Sequence, residues 1–320
     1  MARIVVLTPN PAVDVTYRVD RQVIGETVRV RSVQRRAGGK GLNVVRVLRV
    51  LGHAAAAVQP LGGEAGRWVQ DQLLAEGTES VAVPVGGETR STLAVVDSAA
   101  HPTLYAEPGP QVTDEAWTRI GAAVTGRCEP GGVLVVSGSF PPGTAGRHVQ
   151  ALVTAGHRAG ARVLVDTSGA ALLAAADAGA DVVKPNAAEA SEATGVADLD
   201  GALASLRRRG AAAVVVSRGA EGLLAVGADG VPVTQPAVPG VHGNPTGAGD
   251  AATAGLVAAL VAGAQLAEAL RWAAVLGAAA VCRPTAGDVR LADLDPLADR
   301  LPGAPGARIP FPAVPEQRRS

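Results

Sequence analysis

GVLVV (132–136), GRHVQALVTAGHRA (146–159), RVLV (162–165), DVV (181–183), LDGALASLRRR (199–209) and AAVVV (212–216) follow one another along the chain. Short β-branched runs without polar alternation are the mark of strands buried on both faces, and the Ala- and Leu-rich stretches between them are helix formers. The same rhythm extends toward the N-terminus, with a strand-like run at Ile4 to Leu7 and helix-like stretches at Leu42 to Leu51, Arg67 to Glu76 and Asp114 to Val124. This alternation predicts an α/β fold, a doubly wound and mostly parallel sheet flanked by helices on both faces. Two stretches break the rhythm. VTYRV and TVRVRSV fall within residues 13–35, STLAVVD and TLYA within 89–106, and no long helix separates the paired pieces. They read as antiparallel strands of a small inserted β-sheet that could act as a lid. Nothing in the chain looks like a linker between independent domains, so residues 1–302 are expected to form a single domain, followed by a loosely attached Pro-rich tail at 303–320.

A chain of 320 residues that is 48% hydrophobic can bury a large core. Its 29 basic and 29 acidic residues cancel, so no global field draws it to nucleic acid or to an anionic membrane, and an anionic ligand needs a local site. Cys128 and Cys282 lack the spacing of a disulfide framework or a zinc site, which fits a reducing, cytoplasmic compartment. MARIVVLTPNP is too short in apolar residues for a secretory segment. Ala251 to Ala264 falls short of the ~20 residues that span a bilayer and reads as a buried helix.

Four segments, each rich in glycine or bearing a carboxylate, can carry chemistry. NPTGAGD (244–250) runs directly into AATAGLVAALVAG (251–263). Pro245 and the glycines hold off the helix until Gly247, so the first backbone N–H groups, near Gly247, Ala248 and Gly249, share one small space suited to an anion. Asp250 in the first turn would face the same spot, with the helix dipole lowering its pKa. A glycine turn with an acid at a helix start accounts for the same residues without chemistry, so other motifs must decide. AGGKGLN (37–43) is a second glycine cluster, leading into a helix expected from Asn43; Lys40 and Asn43 put a cation and an amide where backbone is uncovered, as sugar hydroxyls or a phosphate would require. It lacks the spacing of a P-loop and of a dinucleotide fingerprint. Asp14 in TPNPAVD follows the first strand, at the end where open α/β sheets bind ligands, although an Asx-type turn would place an Asp there as well. In KPNAAE (184–189), Glu189 lies three residues after Asn186 at a strand-to-helix corner, which suits either oxygen groups near a hydrated Mg²⁺ or a helix-start acid.

Together with GETVR (25–29), SGSFPPG (137–143) and SRGAEG (217–222), these segments stand in the order found in the ribokinase/PfkB carbohydrate kinases. The chain resembles the 1-phosphofructokinase and tagatose-6-phosphate kinase branch over nearly its whole length. The resemblance implies a ribokinase-like fold with a lid, ATP and Mg²⁺ as cofactors, no nucleic-acid or membrane partner, and a homodimer formed through the lid. It implies Asp250 as catalytic base, with Gly247, Ala248 and Gly249 as the anion hole. Asp14, Arg29, Gly39, Lys40, Asn43, Arg90 and Ser139 would hold the sugar phosphate. Lys184, Asn186, Ser217, Gly219 and Gly222 would hold the nucleotide, and Glu189 would serve Mg²⁺ directly or through water. The implied reaction is ATP-dependent phosphorylation of a hexose phosphate, fructose 1-phosphate first. Asn244-Pro245 is closer to tagatose-6-phosphate kinases, and TLYAEPGP (103–110) departs from the branch pattern, so tagatose 6-phosphate and fructose 6-phosphate stay open. So do an unphosphorylated sugar or nucleoside and a non-catalytic sensor.

Overall fold

The computed structural model describes residues 3–97, 102–283, 285 and 287–302; the segment read as a Pro-rich tail lies outside them. The strands are β1 (Ile4–Leu7), β2 (Ala12–Arg18), β3 (Ser32–Gly38), β4 (Ala55–Leu61), β5 (Glu79–Pro84), β6 (Arg90–Val96), β7 (Thr103–Ala106), β8 (Val133–Ser137), β9 (Arg162–Asp166), β10 (Val182–Val183), β11 (Val214–Ser217), β12 (Leu223–Val226) and β13 (Pro232–Gln235). The helices are α1 (Lys40–Val50), α2 (Gly63–Ala75), α3 (Asp114–Thr125), α4 (Gly146–Arg158), α5 (Gly169–Asp177), α6 (Ala187–Thr194), α7 (Leu199–Arg209), α8 (Ala248–Ala262), α9 (Leu266–Val281) and α10 (Leu294–Ala298).

Nine strands form one sheet in the order β13-β12-β11-β10-β9-β8-β1-β4-β5, parallel from β5 to β11 and antiparallel for β12 and β13. Side chains alternate across it. Ile4, Val6, Val133, Val135 and Leu164 enter a core with α1, α2, α8, α9 and α10, whereas Val5, Leu7, Leu134, Val136 and Val163 enter a second core with α3 to α7. Burial on both faces is why these strands read as unbroken apolar runs. After β1 the chain leads to β4 on one side, and after β8 to β9 on the other, so the strand order reverses between β1 and β8. The carboxyl ends at such a reversal leave a crevice where α/β sheets bind ligands.

Over that crevice lies a four-stranded sheet in the order β3-β2-β6-β7. VTYRV, STLAVVD and TLYA fall almost wholly in its strands, but of TVRVRSV only Ser32 and Val33 do, with β3 running on to Gly38, and one pairing also departs from the expectation. The two hairpin pairs are antiparallel, but β2 and β6, which join them, run parallel, with Asp14 beside Thr92 and Ala12 beside Arg90. Parallel pairing needs a crossover, here the α1-β4-α2-β5 unit between the two halves.

α8 is buried from Asp250 to Ala259 and apolar around its circumference, as expected of a helix packed between sheet and helix. Its small residues set the approach of α9: a Cβ on Gly255 would lie 2.9 Å from the backbone of Ala273. Gly255→Val should therefore destabilise the protein by about 1–3 kcal/mol through overpacking. Urea unfolding measures it, and an unchanged midpoint would contradict this packing.

Candidate active site

A cleft of about 530 Å³ opens between the carboxyl ends of the large sheet and the inner face of the small one. Three helix N-termini contribute to it: Gly39, Lys40 and Asn43 from α1, Asn186 and Glu189 from α6, and Gly247, Gly249 and Asp250 from α8. All three present the positive end of a dipole, and α1 and α8 have no side-chain cap at this end, a setting for anions. The sequence explains the local folding. Gly247 caps α8 with φ 82°, a left-handed conformation that glycine adopts without strain, and Asn244 Oδ1 accepts the Thr246 N–H at 3.0 Å to hold the preceding turn. Gly38 leaves the space that the Asp14 carboxyl fills; any side chain there would overlap it.

Asp250 is buried and accepts a hydrogen bond from Asn43 Nδ2 at 2.8 Å. Burial, and next the negative charge of Asp166, push its carboxyl up to about 7, against the opposing effects of Asn43, Lys40 and Lys184. This corrects the expectation of a lowered pKa. The helix dipole is outweighed by desolvation and by a second carboxylate facing the same space.

Asp166, at the end of β9, is a cleft residue that no sequence motif singled out. It pairs with Lys184 Nζ at 3.0 Å and Lys40 Nζ at 3.7 Å, and accepts from Thr253 Oγ1 at 2.6 Å. Burial alone would raise its pKa, but Lys184 and Lys40, with Thr253, hold it below the usual range. Asp166, Glu189 and Asp250 likewise raise Lys40 against the effect of burial. The available signal was an acid closing a buried strand, RVLVD, on the sheet edge that binds ligands.

Most of the residues picked from sequence line the cleft: Asp14, Gly39, Lys40, Asn43, Arg90, Ser139, Lys184, Asn186, Glu189, Ser217, Gly247, Gly249 and Asp250. Four do not. Arg29 lies exposed outside the lining, and the cleft instead receives Arg18 and Arg36 from the small sheet. Ala248 spends its N–H on the Pro245 carbonyl at 3.1 Å. Gly222 makes a turn, its N–H bonded to Gly219 O, and a side chain there would strike the Gln235 carbonyl. Gly219 opens that same turn and stays outside the lining.

Other residues keep their place with partners of their own. Lys40 is the first residue of α1, one turn earlier than expected, and also reaches Glu189 at 3.8 Å. Asn186 and Glu189 cap α6 reciprocally, each side chain bonded to the other's N–H at 2.8 Å, which leaves Glu189 Oε1 toward Lys40. Asp14 is raised by burial and restrained by Arg46 and Arg90. Arg90 is anchored on the Asn10 carbonyl at 3.1 and 3.2 Å and on that of Glu107 at 2.9 Å, with two of its five N–H groups left over. Among the described residues no group of three or more His, Cys, Asp or Glu could hold a metal by itself, and no helix is long and apolar enough to cross a membrane.

The model of the pfkB family carbohydrate kinases matches residues 7–291. The chain belongs to that family. It is 37% identical over 299 residues to a 1-phosphofructokinase of Xanthomonas campestris pv. campestris, covering 89% of this chain and 92% of that one. To a 1-phosphofructokinase of Haemophilus influenzae it is 29% identical over 306 residues, 94% of this chain and 98% of the other. Among solved structures, Escherichia coli phosphofructokinase-2 in complex with fructose-6-phosphate superimposes with a TM-score of 0.84 at 30% identity, covering 94% of this chain and 99% of that one. This member of the pfkB family is a sugar kinase, a phosphotransferase, and the cleft is its candidate active site.

The raised Asp250 pKa has a consequence for stability. A carboxyl whose folded pKa lies above its unfolded one contributes stability that is present at low pH and lost as pH rises from about 4 to about 7. Asp250→Asn, which cannot ionise, should gain stability relative to the wild type across that window and hold a constant margin above it. Urea unfolding at pH values on both sides measures this; a margin independent of pH would contradict the raised pKa.

Proposed function

We propose that this kinase transfers the γ-phosphoryl group of Mg·ATP to a hydroxyl of a ketohexose monophosphate, with fructose 1-phosphate as the preferred acceptor and fructose 1,6-bisphosphate as product. The observation that carries this reading is Asp250: a buried carboxylate at the N-terminus of α8, poised near neutrality, in one cleft with Asp14, Arg90 and two lysines. Phosphoryl transfer asks for positioning and charge stabilisation more than covalent chemistry. Asp250 takes the proton of the acceptor hydroxyl as the bond to phosphorus forms, and a pKa near the working pH suits that task. The N–H groups of Gly247 and Gly249, with Lys40 and Lys184, face the charge on the transferring group.

Asp14 accepts hydrogen bonds from sugar hydroxyls, and the free N–H groups of Arg90, with Ser139, meet the phosphate already on the sugar. Asn186 and Ser217 form an isolated β-bridge at the ends of β10 and β11 and lie along the nucleotide. Glu189 would hold Mg²⁺ through water, and the ion, when bound with the nucleotide, would neutralise phosphate charge. The small sheet covers the cleft as a lid. Val33 and Tyr105, exposed on its outward face, offer a contact for a second copy of this chain.

The two 1-phosphofructokinases support fructose 1-phosphate as acceptor. Fructose 6-phosphate is the second reading, favoured by the likeness to phosphofructokinase-2. A pocket that hydrogen-bonds particular hydroxyls rejects an isomer that leaves them unpaired. In a coupled ATP-consumption assay, kcat/KM for fructose 1-phosphate should exceed those for fructose 6-phosphate, tagatose 6-phosphate and free fructose by more than about tenfold. Asp250→Asn should fold, bind ATP and turn over at least ~10²-fold more slowly. Equal rates on all four sugars would reject the substrate assignment, and near-normal turnover of the variant would reject the base.

A further inference from the structure

Arg46 is a charged side chain that the mechanism leaves unused, yet it is 6% exposed and lies directly behind the site. It projects from α1 three residues after Asn43, on the same side of the helix. Its Nη1 donates to Asn43 Oδ1 at 3.4 Å, its Nη2 to the carbonyl of Ala37, and its Nε to Glu76 Oε2 at 3.1 Å. On its other side, Asn43 donates from Nδ2 to Asp250 Oδ2 at 2.8 Å and is closed in by Gly287, where a Cβ would come within 2.8 Å of it.

A side-chain amide can be turned about its plane with little steric change, exchanging its oxygen and nitrogen. Here only one orientation satisfies both neighbours. A guanidinium can only donate, so the Asn43 oxygen faces Arg46, and the amide N–H is left for the carboxylate. Turned over, the amide would set N–H against N–H on one side and oxygen against carboxylate oxygen on the other. We propose that Arg46 is a positioning residue for phosphoryl transfer: it fixes the Asn43 amide so that this side chain donates to Asp250, and it acts without touching either substrate. The proposal rests on the reading of Asp250 as the base.

The groups that face Asp250 are Asp166 from β9, Lys40 and Asn43 from α1, and Lys184 beyond β10; those that face Arg46 are Glu76 beyond α2, Arg36 from β3 and Asp14 from β2. Loss of the Asn43 donor removes one of the effects that hold the Asp250 pKa down, so disturbing Arg46 should raise it further.

The test is a ¹³C NMR titration of the Asp250 carboxyl, assigned by its absence in Asp250→Asn, in the full-length protein. Arg46→Lys keeps the charge but cannot serve Asn43, Ala37 and Glu76 at once; it should move the Asp250 midpoint to higher pH and lower kcat/KM by about tenfold. Arg46→Gln is the second variant should the first not fold. Asn43→Ala should produce the same direction of shift, and the double variant should titrate like Asn43→Ala alone, because both substitutions remove one interaction. Arg49→Gln, which loses only a bond from α1 to the Glu76 carbonyl, should leave the midpoint in place. An unmoved midpoint in a folded Arg46 variant, additive shifts in the double variant, or an equal shift in Arg49→Gln would overturn the proposal. The midpoint is read without turnover, so failure of the link from Arg46 through Asn43 to Asp250 is distinguished from failure of the base, which the activity of Asp250→Asn reads.

Discussion

Two carboxylates, Asp250 and Asp166, are buried facing the same space, and the rest of the site is arranged around that repulsion. Each would cost several kcal/mol if left ionised and uncompensated in a low-dielectric interior. The protein resolves the conflict unequally. Asp166 receives Lys184, Lys40 and Thr253 and stays ionised, whereas Asp250 has a hydrogen bond from Asn43 and only distant cations, and is pushed up to about 7. Two acids of the same kind thereby acquire different work, one fixing the lysines and the other free to take a proton.

The fold supplies this geometry at modest expense. Strand reversal between β1 and β8 opens the crevice, and the helix N-termini of α1, α6 and α8 converge on it. The sheet β3-β2-β6-β7 forms the roof with alternating side chains: Arg36, Asp14, Thr92 and Ala106 are in register across it and all line the cleft. Asp14 belongs to the roof and Asp250 to the floor, so the cleft is lined from both halves of the fold.

Much of this was legible in the sequence. The central strands and α1, α3, α4, α7 and α8 announce themselves because two-sided burial removes polar residues from strands and a small-residue run marks a buried helix. The glycine motifs were legible because close backbone approach leaves few alternatives, as at Gly38 against Asp14. β4 was hidden by its composition, AAAVQPL, in which three alanines and a proline mask a strand. The parallel joint between β2 and β6 was hidden because pairing direction depends on a long crossover that leaves no local trace. Asp166 and Arg46 escaped for a related reason. Each looks ordinary in its own segment, and its importance comes from partners far away in sequence, Lys40 and Lys184 for one, Glu76 for the other. Gly222 and Ala248 show the converse, motif positions whose local backbone work keeps them out of the cleft.

The sign of the Asp250 shift is the point at which the three-dimensional arrangement overrides local reasoning, since a helix N-terminus alone would have lowered it. The most direct measurement is the pH dependence of kcat/KM for the sugar phosphate in the wild type and in the residual activity of Asp250→Asn. The account predicts an acid limb near pH 7 in the wild type that is absent from the variant, which keeps only the ionisation of the substrate phosphate near pH ~6. The same limb in both proteins would show that it does not belong to Asp250, and would contradict the central role given to this carboxylate.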